Sequence, residues 1–166
     1  RGHQPVTLPE PDHAVDAQPE DVLGALTVLG EARGESFSGQ CAVAHVILNR
    51  MKKHAATVAD TVLAPWQFSC WNHADPNRLF LEETIHKQAA NIPVGLWASC
   101  WMAFCESRDG KTADTTGGGT HYCVSLLWGV DDAGRRRPRW HSRQEIDRGA
   151  TKETARIGSH VFGLAA

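Results

Sequence analysis

Two carboxylates stand close together in Glu31-Ala32-Arg33-Gly34-Glu35, and settings that differ can divide acid–base work between such a pair. Glu31 falls in the last turn of a helix expected over 21–33, where the macrodipole disfavours negative charge. It also lies at the margin of that helix's apolar face, where partial burial favours the neutral acid. A carboxyl kept neutral near pH 7 is a proton donor. Glu35 precedes the next helix, whose positive end favours the ionised form. The plainer alternative is two solvated surface acids. Arg50 and Gln40 bear on the choice, because both fall by spacing on the apolar row of a helix expected over 37–53. A charge on a buried row needs a partner, and Glu31 and Glu35 are the nearest carboxylates by sequence. An Arg50–carboxylate pair would hold one acid ionised and leave the other to titrate. Snorkelling of Arg50 to solvent at the helix end is the alternative.

Hydrophobic periodicity supplies the frame for these groups. Val22, Leu26 and Leu29, with Ala25 and Ala32 beside them, make an apolar face over 21–33, and Gly34 is its stop. Over 37–53 the row is Val43, Val46, Ile47 and Met51, with Ser36 or Ser38 as the cap. Short helices are expected over 58–63 behind Thr57 and over 76–88, where Asp75 caps and Pro76 sits in the first turn. The strongest helical signal runs over 92–108, where Trp97, Cys100, Trp101, Phe104 and Cys105 form one stripe. Residues 109–120 are rich in glycine and threonine. Residues 121–130 read as a short strand or hairpin edge, and 131–139 as a polar, basic loop. From 142 onward helical periodicity is weak.

A chain of 166 residues builds one domain with a sizeable core. Its net charge of -2 gives no electrostatic case for nucleic acid or an anionic membrane as partner. No apolar run is long enough to span a bilayer, and no signal-peptide pattern is visible. Five cysteines, an odd number without a repeating interval, make a poor disulfide framework and read as small buried hydrophobes. Residues 1–18, with Pro5, Pro9, Pro11 and the adjacent Pro19, read as an extended arm or linker ahead of a domain at 19–166.

The motif at 31–35 continues through Gly39-Gln40 and Ala42-Val43-Ala44-His45-Val46-Ile47-Leu48-Asn49-Arg50. Further on stand Gln67-Phe68-Ser69-Cys70-Trp71, Thr116-Gly117-Gly118-Gly119-Thr120-His121-Tyr122, Pro138 with Trp140, and Ile157-Gly158-Ser159-His160-Val161-Phe162. In this order they resemble the cell-wall hydrolase family typified by the spore cortex-lytic enzymes SleB and CwlJ, with similar domains in phage endolysins. The resemblance spans most of 23–162, and its first motif is the specific one. It departs at Gly163, where the closing motif often has tyrosine, and at His121, where a non-ionisable residue is common. It implies an α+β, mainly α, single lysozyme-like domain with a small β-hairpin or short sheet. It also implies cleavage of peptidoglycan between N-acetylmuramic acid and N-acetylglucosamine, with Glu31 catalytic and no cofactor or metal. The partner would be the glycan strand, the place of action the cell wall, and the protein a monomer.

Two routes fit that chemistry. In a lytic transglycosylase, the route the resemblance favours, one carboxyl serves as acid and then base. A muramidase-type hydrolase needs a second carboxylate, for which Glu35 is the candidate. Expected substrate contacts are Gln40, Ser69, Trp71, Gly118, Thr120, His121, Tyr122 and Trp140. The glycine run would let backbone approach the glycan closely, and the tryptophans would pack on sugar faces. Trp97 and Trp101 belong to the core stripe. Asn49, Arg50 and His160 are expected as structural support, and the arginines of 135–139 as a solvated basic loop. A zinc amidase using His121, Cys123, His141 and His160 lacks ligand spacing on any expected element. A cysteine peptidase based on Cys70 or Cys123 and a wall-binding module without activity are the remaining rivals.

Overall fold

The structure is a computed structural model that describes residues 5–124 and 151–165. Among the described residues, five α-helices precede a three-stranded antiparallel sheet: α1 Glu20–Ala32, α2 Phe37–His54, α3 Val58–Val62, α4 Pro76–His86, α5 Val94–Arg108, β1 His121–Val124, β2 Thr151–Ile157 and β3 His160–Ala165. The mainly helical α+β class is the one expected. The expected caps are also in place. Ser36 Oγ accepts from Gly39 N–H at the start of α2, and Asp75 accepts from Asn77 N–H ahead of Pro76. Thr57 and Asp60 form a reciprocal capping box on α3.

One apolar face was expected on α1. Instead, every residue over 22–30 is buried. The run Val-Leu-Gly-Ala-Leu-Thr-Val-Leu-Gly has no polar face to give to water, and a helix apolar all round belongs inside a core. Its one polar side chain there is satisfied locally, since Thr27 Oγ1 donates to Leu23 O at 2.9 Å. Gly30 lets neighbours come close: a Cβ there would lie 2.7 Å from Cys70 Cβ and 2.9 Å from Leu81 Cδ1. α5 packs its expected stripe on α1 and α2, with Trp97, Cys100, Trp101, Phe104 and Cys105 all buried. Cys41, Cys70, Cys100 and Cys105 are free thiols in the interior.

The arm ahead of α1 is docked, not loose. Gln18 is buried and its amide bonds Glu10 N–H, Glu10 O and His13 O, while Trp97 Nε1 donates to Thr7 O at 3.0 Å. In the sheet the order is β1-β3-β2. Ile157 pairs with His160 across the two-residue turn Gly158-Ser159, with Gly158 at φ 57°. A two-residue hairpin loop takes positive φ there because that twist matches the flanking strands. This hairpin is the partner β1 needed, and it comes from the stretch where helical periodicity was weak.

Candidate active site

Glu31 sits in the last turn of α1, half-buried. Its Oε1 accepts the Cys70 N–H at 2.9 Å and the Ser69 hydroxyl at 3.4 Å, and its Oε2 accepts the Tyr122 hydroxyl at 2.8 Å. The first two donors lie on the 3-10 turn Ser69–Trp71 and the third on β1. Burial, reinforced by Glu31, pushes the Tyr122 phenol well above its ordinary value, so the hydroxyl keeps its proton. A carboxylate has about four lone-pair sites. Three donors therefore fix the group and still leave it able to meet a ligand.

Arg50 is buried as its spacing predicted, but among the described residues it forms no ion pair with a carboxylate. Its Nε donates to Thr120 O at 2.6 Å and its Nη1 to Gln67 O at 2.7 Å, with the guanidinium 4.5 Å from the centre of the Phe68 ring. Arg50 therefore follows neither alternative its position left open, an ion pair with Glu31 or Glu35 or snorkelling to solvent. Carbonyl lone pairs and a ring face replace the lost water, which the planar fork of arginine allows. Burial lowers the guanidinium from its ordinary value, while Tyr122 and Glu31 oppose that shift. Arg50 thus ties 67–70 to 120–122, the two segments that donate to Glu31.

Glu35 is held by the β2–β3 turn. The Ser159 hydroxyl and N–H both donate to it, and His160 Nδ1 lies 3.5 Å from Oε1. The Ser159 hydroxyl holds the carboxyl below its ordinary value, with burial opposing and the Ser159 N–H and His160 assisting. His160 is itself kept low by burial. Its ring meets Tyr122 edge-on, centroids 5.3 Å apart, so a chain of contacts links Glu31, Tyr122, His160 and Glu35. Glu35→Gln is expected to lower stability at pH 7 by about 1–2 kcal/mol. The folded carboxyl titrates below its unfolded value, so its contribution is present above the unfolded value and lost as pH falls through the folded one. The gap between the two proteins should therefore close in acid. Denaturant midpoints across that range check it, and a gap that widens in acid contradicts it.

The other expected contacts divide. Gly118 is exposed at φ 79° in a loop held from beneath. Asn49 Nδ2 donates to Gly119 O and to Asp114 Oδ2, each at 3.0 Å, and Thr116 and Asp114 close the turn. Thr120 is buried with its Oγ1 3.0 Å from His121 Nδ1. His121 is pushed down to about 4 by burial, then by Arg50 and Lys53, and so is neutral near pH 7. Gln40 is 3% exposed, its amide held by the Ser99 hydroxyl and Glu35 O. It braces the Glu35 turn against α5 and is not open to substrate. Trp71 is likewise interior, donating from its indole to Thr27 Oγ1 at 3.0 Å. Trp140, Pro138, His141 and the arginines of 135–139 lie outside the described residues.

Ser159 and Asp114 carry contacts that the sequence reading did not assign. The Asp-Thr-Thr run of an Asx turn was the available signal for Asp114. Ser159 had only a Gly-Ser turn to mark it. Against the zinc reading, Tyr122 pairs with Phe162, two residues from His160 on β3, which places His160 on the Tyr122 face of the sheet and His121 on the other. Against the thiol reading, burial and Glu31 push the Cys70 thiol well above its ordinary value. A cleft of about 630 Å³ lies elsewhere, between the arm and α4, and Glu31 does not line it.

A mainly helical domain with a hydrogen-bonded carboxylate at a helix end, braced by a small sheet, is the class of protein that fold and site define. The chain belongs to the Cell Wall Hydrolase family, whose sequence pattern matches residues 34–163 and so begins just after Glu31. It is accordingly a peptidoglycan lytic enzyme. The fold is similar to that of the catalytic domain of Bacillus cereus SleB, at 23% identity and a TM-score of 0.55, over 92% of this chain and 94% of that one. It is also similar to the catalytic domain of the germination-specific lytic transglycosylase SleB from Bacillus anthracis, at 22% identity and a TM-score of 0.57, over 91% and 96%. No curated protein sequence matches the chain. No helix among the described residues is long and apolar enough to cross a membrane.

Proposed function

We propose that the chain cuts the glycan strand between N-acetylmuramic acid and N-acetylglucosamine as a lytic transglycosylase, with Glu31 as acid and then base. The observation that carries this reading is the contrast between the two glutamates. Glu31 is half-buried at a helix end and held by donors from two separate segments, whereas Glu35 is taken up by the Ser159 turn. Glu31 gives its proton to the bridging oxygen as the bond from that oxygen to the anomeric carbon breaks. The C6 hydroxyl of the same muramic acid then attacks the anomeric carbon, and the Glu31 carboxylate takes the hydroxyl proton. The products are a new sugar end and a 1,6-anhydro ring, with no water consumed. Tyr122 and the Cys70 N–H keep the carboxyl aimed through both halves of the cycle.

The experiment is digestion of purified peptidoglycan followed by mass spectrometry of the fragments. Fragments lighter by one water, with 1,6-anhydro ends, are the expected result. Reducing muramic acid ends would replace this route by hydrolysis, and free peptide stems would replace glycan cleavage altogether.

A further inference from the structure

Trp66 is 83% exposed and stands at φ 65°. Each fact is unfavourable by itself. Tryptophan is among the side chains that gain most from burial, and a left-handed backbone is strained for a bulky residue. The cause of the positive φ is local. Gln67 N–H bonds Ala64 O at 3.2 Å across Pro65 and Trp66. Proline followed by positive φ is the pattern of a type II turn, whose third position normally takes glycine or asparagine. The turn cannot relax easily, because Arg50 holds Gln67 O at 2.7 Å. A tryptophan is therefore displayed to solvent from a braced turn whose backbone suits glycine.

Its position gives the display a use. Trp66 precedes Ser69 by three residues, at most about 10 Å of chain, and the Ser69 hydroxyl touches Glu31. Ala64 and Gln67, on either side of Trp66, line a hollow of about 180 Å³ together with His54, Asp60 and Thr61. An exposed indole suits the C–H face of a pyranose, and the hollow lined by its sequence neighbours, of which Trp66 itself is not a part, offers polar groups to the hydroxyl and acetamido rim.

We propose that Trp66 is the stacking platform for one N-acetylated hexosamine ring of the glycan strand, within a disaccharide's length of the bond that Glu31 cuts. This rests on the reading of Glu31 given above. The test uses purified glycan strands freed of peptide stems and compares the wild type with Trp66→Gly, Trp66→Phe and Glu31→Gln. Trp66→Gly is expected to melt at a higher temperature, since glycine relieves the backbone, yet to raise KM about tenfold with kcat nearly unchanged. Trp66→Phe should restore most of the affinity. A merely structural tryptophan would move stability and affinity in the same direction. If Glu31→Gln is inactive while Trp66→Gly keeps the wild-type KM, the platform is refuted and the catalytic reading stands. If Glu31→Gln still cuts at the wild-type rate, the catalytic reading falls and the platform falls with it.

Discussion

Glu31→Gln is expected to lower kcat on peptidoglycan by about a thousandfold or more, with the fold intact. General acid–base catalysis contributes about 10²–10⁴ in rate. The upper part of that range applies because, in the proposed route, one carboxyl serves both proton transfers. Glutamine has nearly the same shape and keeps one acceptor oxygen, but its amide cannot give or take the proton. It also turns two N–H donors toward a site already supplied by the Tyr122 hydroxyl or by Cys70 N–H and Ser69. Donor facing donor costs roughly 1–2 kcal/mol, so a modest drop in melting temperature should accompany the loss. Release of 1,6-anhydro ends, measured beside circular dichroism of the same samples, checks both parts. Retention of a tenth of the activity in a folded variant would contradict the assignment.

The second large effect falls on Arg50. Arg50→Met removes the donor from Thr120 O and Gln67 O and leaves Phe68 without its cation. The buried Thr120 O left unpaired costs about 1–3 kcal/mol and the part-buried Gln67 O about 1 kcal/mol, and the ring contact adds roughly 1 kcal/mol. A total of about 3–5 kcal/mol corresponds to a fall of roughly 10 °C or more in Tm. Activity should fall further than unfolding explains, even well below the melting temperature. The two segments that Arg50 joins carry Ser69, Cys70 and Tyr122, and freeing them widens the range of Glu31 positions. Arg50→Lys keeps the charge but has no planar fork to reach both carbonyls, so it should lie between the two. A lysine variant with wild-type melting and wild-type kcat would refute the strut.

The helices were legible because their signals are local. Ser36, Thr57 and Asp75 cap through bonds to residues two or three positions away. The stripe on α5 repeats within a turn of itself. The burial of Gln40 and Arg50 followed from their place on the row of α2. What they touch did not follow, because Ser99, Gln67 and Thr120 are far along the chain. α1 shows the same limit: its sequence marks it as apolar, but only the neighbours that close over Gly30 make it central. The β2–β3 hairpin was missed because a short strand with one buried face leaves a weak alternation. The hairpin is nonetheless what brings the Ser159 donors and the His160 ring to Glu35.

Taken alone, the amino-acid order determined the helical class, the helix ends and the presence of a glutamate at one of them, together with a string of motifs similar to those of wall-cleaving enzymes. Only the tertiary structure decided how that glutamate is held, because its donors lie 38, 39 and 91 residues further along the chain. Periodicity and capping act over a few residues and can be read from neighbours. A carboxylate's hydrogen bonds depend on which distant segments the core brings against it, and packing alone settles that.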